Sequence, residues 1–135
     1  MNNLDRMKAA YKAWDACKGR EPDCWLDLFA DNVSIRSLAN DSHALSFAQD
    51  RKSKSEAVTY FTSLAERWTM IHWSPHTFVS EGDNVAVFAT RAWTNKQTGK
   101  HVETSTAHLW AFEGDRATSV IEIFDSARVL AAATP

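Results

Sequence analysis

The chain has 135 residues, 44% hydrophobic and 24% charged, with fifteen basic residues against seventeen acidic ones and a formal charge of −2. That length fits a single domain, 1–135, and is too short for two ordinary ones. The composition excludes intrinsic disorder, and the charge balance excludes the basic footprint that nucleic acid or an anionic membrane demands.

Leu4, Met7, Tyr11 and Trp14 recur at spacings of three and four and predict an amphipathic helix over 4–17, ended by Gly19. Pro22 suits the first turn of a short second helix carrying Trp25, Leu26, Leu28 and Phe29. Alternation from Val33 to Leu38 predicts a first strand, and residues 39–52 read as a loop or irregular crossover. Ser53 followed by Glu56 is a capping-box pattern. Behind it Val58, Phe61, Leu64, Ala65 and Trp68 trace a third helix. Glycine turns at Gly82, Gly99 and Gly114 then separate strand-like runs near 70–80, 84–95, 101–112 and 117–128, an antiparallel meander. The plan is α-α-β-α-β-β-β-β, an α+β domain with helices on one face of a curved antiparallel sheet.

The N-terminus is charged and lacks an apolar leader, and no run of eighteen apolar residues occurs, so a cytoplasmic, non-membrane protein is expected. Cys17 and Cys24 form no C-x-x-C and no zinc site by themselves; two free thiols are expected, with a disulfide between them left open. No metal-ligand spacing, phosphate-cradling glycine loop or G-x-S-x-G elbow appears, so a cofactor-free site is expected. Seven Phe, six Trp and two Tyr make up 11% of the chain and require a core, a cavity or a partner surface.

The element order, the run Leu28-Phe29-Ala30-Asp31-Asn32-Val33, Glu81-Gly82-Asp83 before a strand, and Glu122-Ile123-Phe124-Asp125 in the last strand resemble the SnoaL-like branch of the nuclear transport factor 2-like superfamily. The resemblance implies a cone: a bent sheet around three N-terminal helices, with an internal apolar cavity and, in many members, a dimer through the outer sheet face. Relatives include isomerases, cyclases, dehydratases, epoxide hydrolases and binding modules, so the fold alone does not choose an activity.

Alternation puts Val120, Glu122 and Phe124 on one face of the last strand. A carboxylate with apolar neighbours at both sides is desolvated, which raises its pKa and suits it to proton transfer. The resemblance assigns an acid–base role to the matching position; an arginine–glutamate pair on an exposed face is the structural alternative. His72 resembles a histidine near the start of the long strand in dehydratase relatives, with a core histidine as its alternative. Tyr11 sits where isomerase relatives carry an oxyanion-hole tyrosine, and is equally a member of the first helical stripe. Ser37 and Ala107 stand where ketosteroid isomerases carry their base and protonated aspartate, which argues against that activity. Arg91 and Arg36 are open questions, Arg91 as a partner for a carboxylate.

On the strand around His108 one face reads Ala107, Leu109 and Ala111 and the other Thr106, His108, Trp110 and Phe112. The small set suits a cavity wall and the aromatic set a dimer interface through His108 and Trp110; His108 also resembles a histidine of cyclase relatives, which leaves it between cavity and interface. With Trp14, Phe61 and Trp93, the expected ligand-binding residues are then Ala107, Leu109, Val120 and Phe124. Two functions follow: acid–base catalysis by Glu122, His72 and Tyr11 on a small apolar or aromatic molecule, of isomerase, cyclase or dehydratase type, or a binding or dimerisation module without catalysis.

Overall fold

A computed structural model describes residues 1–135. Helix α1 (Asn3–Ala16) and the one-turn helix α2 (Asp23–Leu26) lead into strand β1 (Phe29–Ser37). Helix α3 (Lys54–Arg67) precedes β2 (Trp68–Glu81), β3 (Asn84–Asn95), β4 (His101–Glu113) and β5 (Arg116–Phe124), and helix α4 (Ser126–Ala133) ends the chain. The architecture is α+β, with helices first and sheet after, as expected. No helix is long and apolar enough to cross a membrane.

Local chemistry accounts for the helix starts. Asn2 accepts the Asp5 N–H at 2.8 Å, and Ser53 accepts the Glu56 N–H at 3.1 Å. Met7, Ala10, Tyr11 and Trp14 form the buried stripe of α1. In α3 the buried residues are Ala57 and Leu64, while Val58 is exposed. Gly82 and Gly114 turn their hairpins at φ +56° and +62°, which residues with a Cβ resist.

Three expectations change. Leu28 and Phe29 are not helical: β1 begins at Phe29, and its register shifts between Phe29 and Ser34. The sheet is mixed rather than antiparallel, because β1 pairs parallel with β5 in the order β1-β5-β4-β3-β2. The run assigned to strand over 117–128 breaks at Asp125, whose carboxylate accepts the Arg128 N–H at 3.1 Å and starts α4. Segment 39–52, an irregular crossover, contains a 3-10 turn, Ser46–Ala48, and is tied to β1 by the Ile35–Arg51 bridge. The buried Arg51 secures it by donating to Thr59 Oγ1 at 2.8 Å and to the carbonyls of Ser46 and Gln49.

One sheet face carries the core and the other is bare. Val85, Val87, Ala89, Trp110, Phe112 and Val120 are buried, whereas Phe88, Leu109 and Ile123 are 45%, 46% and 48% exposed. These exposed residues lie on three adjacent strands, since Ala107 pairs with both Phe88 and Ile123 and Leu109 is two residues on. Cys17 and Cys24 are free and half-buried.

Candidate active site

A cavity opens between the helices and the buried face of the sheet. Its wall combines Tyr11 and Trp14 from α1, Trp25 from α2, Tyr60 and Phe61 from α3, and Trp73, Arg91, Trp93, His108, Trp110, Val120 and Glu122 from the strands. The space is narrow: about 50 Å³ admits the centre of a water molecule. Aromatic rings set its shape. Tyr11 stacks on Trp73 at 4.8 Å between centroids, and Trp25 lies parallel to Trp110 at 5.3 Å.

Through this apolar wall runs a chain of hydrogen bonds. The Trp110 indole N–H donates to the Tyr11 hydroxyl oxygen at 2.8 Å, and Tyr11 Oη lies 2.6 Å from His108 Nδ1. His108 Nε2 lies 2.7 Å from Glu122 Oε2, which also accepts from Arg91 Nη1 at 3.1 Å. Burial works to raise the Glu122 pKa, but the Arg91 charge and the His108 hydrogen bond overcome it and hold the carboxyl at about 2. The expected upward shift is therefore reversed, because desolvation was read without its compensating cation. An ionised carboxylate only accepts, so His108 Nε2 carries the proton donated to Glu122. With Nε2 protonated, a neutral ring offers Nδ1 as the acceptor for the Tyr11 O–H. Burial raises the Tyr11 phenol well above its ordinary value of 10, only partly offset by Trp110, so Tyr11 stays protonated.

The sequence-predicted residues divide cleanly. Tyr11, Trp14, Phe61, Trp93, Val120 and Glu122 meet in the wall. Phe124 lies beside it, 4.8 Å below the Arg91 guanidinium and 5.7 Å from Phe47. His72 does not join them: its Nδ1 lies 3.0 Å from Ser74 Oγ, and Nε2 lies 3.7 Å from the exposed Glu103 carboxylate. The reason is a register shift in β2 between Met70 and His72, an extra residue that turns Trp73 inward. Asp15 of α1 pins that bulge by accepting the Trp73 N–H at 2.9 Å.

The two faces of β4 are also exchanged relative to expectation. His108 and Trp110 line the cavity, so neither belongs to an outer interface, while Leu109 and Ala107 stand on the bare face and line nothing within. Alternation sorts a strand into two sets but does not say which is inside, and here both sets are apolar. Arg91 does face a carboxylate, on the buried side of the sheet rather than an exposed one. Arg91, His108 and Trp110 thus belong to the site, although spacing leaves Arg91 an open question and sets Trp110 at an interface; inverting the β4 faces supplies His108 and Trp110.

Among curated proteins no sequence matches. Solved structures share the fold. An NTF2-like protein of unknown function from Burkholderia pseudomallei superposes with a TM-score of 0.88 at 21% identity, over 100% of this chain and 99% of its own. An NTF2-like protein from Burkholderia thailandensis gives 0.83 at 20% identity over 100% of both chains. TerC, crystallised with polyporic acid, gives 0.83 at 19% identity over 97% of both. The family model for the SnoaL-like domain matches residues 8–120, and the chain belongs to that family.

Proposed function

We propose that this protein carries out acid–base chemistry, of isomerase, cyclase or dehydratase type, on a small apolar or aromatic molecule held in the cavity. The observation that carries the reading is the unbroken chain Tyr11–His108–Glu122–Arg91 set in an otherwise aromatic wall. Tyr11, which lines the cavity, is the hydroxyl-bearing end of the chain. As its oxygen takes a proton from substrate, its own proton passes to His108 Nδ1, and Glu122 stabilises the imidazolium that results. Arg91 keeps Glu122 ionised for that task. Return of the proton to a different substrate atom completes an isomerisation. In this arrangement His108 rather than Glu122 holds the proton in transit, and Glu122 fixes its tautomer.

To test it, a panel of small enolisable aromatic ketones is incubated with the protein in D2O and exchange at the carbon acid is followed by NMR. Exchange above background that is lost in Tyr11→Phe and His108→Gln supports the reading. Ketones that bind without exchanging overturn it. They would favour ligand binding without turnover, a reading supported by the fact that Tyr11 and both His108 nitrogens are already engaged within the protein.

We also propose that a second copy of the chain covers the bare sheet face. Phe88, Leu109 and Ile123 are nearly half exposed on adjacent strands, and Val79 is 55% exposed on the neighbouring β2. An apolar face repeated on an identical molecule is self-complementary about a two-fold axis.

A further inference from the structure

Two buried polar atoms of the site have no partner inside the protein, Glu122 Oε1 and Arg91 Nε. Their side chains line the same cavity, and only 4% of Glu122 and 3% of Arg91 reaches solvent. Buried acceptors and donors are ordinarily paired, and one left alone bears the full cost of its desolvation. The reason Glu122 Oε1 is unpaired is visible: Arg91 Nη1 and His108 Nε2 converge on Oε2 at 3.1 and 2.7 Å, and no protein donor bonds Oε1. None of the uncharged polar neighbours, the buried Tyr60 hydroxyl beside Arg91 included, hydrogen-bonds Glu122 Oε1 or Arg91 Nε. Ser37 Oγ accepts the Ala39 N–H at 3.1 Å, and Gln49 Nε2 donates to the Ser42 carbonyl at 3.3 Å. The remaining wall is mostly aromatic and aliphatic. The missing donor and acceptor therefore come from whatever occupies the cavity.

The charge of that occupant follows as well. Glu122 and Arg91 neutralise one another and Arg36, the other cation of the wall, is exposed to solvent, so a charged occupant would be buried without a counter-charge beside it. We propose that the cavity selects a neutral aromatic molecule bearing a hydroxyl group, which donates to Glu122 Oε1, together with an oxygen that accepts from Arg91 Nε. A phenol or enol supplies the donor, and a hydroxyl or carbonyl oxygen supplies the acceptor. This names the substrate class of the acid–base site, and it rests on that reading for the cavity as the place of binding.

The test is a matched series, phenol, anisole, toluene and benzoate, titrated against the wild-type protein by NMR. Anisole keeps the ring and the oxygen but has no proton to give. Phenol is expected to bind roughly tenfold or more tightly than anisole or toluene, as sites with unpaired buried polar groups reject analogues lacking the partner. Equal binding of phenol and anisole, benzoate binding as tightly as phenol, or no binding by any of the four overturns the proposal. Glu122→Gln is expected to narrow the preference, and if that variant does not fold the wild-type series still decides. His108→Gln separates the two readings: hydroxyl preference kept with ketone exchange lost supports both. Exchange retained in that variant removes the acid–base reading alone.

Discussion

Glu122 is a buried charge that the fold holds ionised, and acid should therefore unfold the protein partly through it. Its carboxyl titrates at about 2 when folded against an ordinary value of 4.5. A depressed folded pKa gives stability that is complete above about 4.5 and is lost as pH falls toward 2. The contribution is on the order of 3 kcal/mol. Thermal melts from neutral pH to pH 2 should show the wild-type midpoint falling steeply over that window, and Glu122→Gln starting lower and falling less. The lower start reflects Arg91, which that variant leaves buried without its counter-charge. Tyr11→Phe is a milder change. It strands the Trp110 N–H and His108 Nδ1, at a cost of about 1–3 kcal/mol by chemical denaturation, with the native fold retained.

The elements were legible in proportion to how local their causes are. The α1 stripe, the Ser53 cap and the glycine turns are written in neighbouring residues, and the structure has them where the spacing puts them. Ser53→Ala should lower stability by about 1 kcal/mol, read as a small drop in denaturant midpoint at unchanged slope. What spacing does not contain is the partner of each strand. The bulge that turns His72 away from the cavity is a mismatch of count between β2 and β3, visible only once they pair. The inward side of β4 depends on which face α1 covers. Helix α4 was hidden because Val129, Leu130 and the alanines continue an apolar run, and only the Asp125 cap separates them from β5. The site suffers most from this, since its four polar members come from α1, β3, β4 and β5.

For the whole molecule the bare sheet face makes a prediction independent of the chemistry. If a second copy covers it, light scattering should report a dimer. Phe88→Asp and Leu109→Asp, both on the exposed side and away from the cavity wall, should each yield a folded monomer. A wild-type monomer at micromolar concentration would remove the dimer proposal and leave the cavity proposals standing.

The parallel pairing of β1 with β5 has a consequence in time. Ile35 lies opposite Val120 and Ser37 opposite Glu122, with the Leu38 N–H donating to the Glu122 carbonyl at 3.2 Å. On the ribosome β1 emerges first, yet β5, the strand that shelters it, is made only after β2, β3 and β4. Until then α1 and β1 have only part of their core, and apolar side chains of β1 such as Val33 and Ile35 lack part of their cover. Closing so long a loop before its contacts are rewarded makes this a slow step. A nascent chain arrested before β5 should remain sensitive to protease, and protection should arrive abruptly once Phe124 clears the exit tunnel.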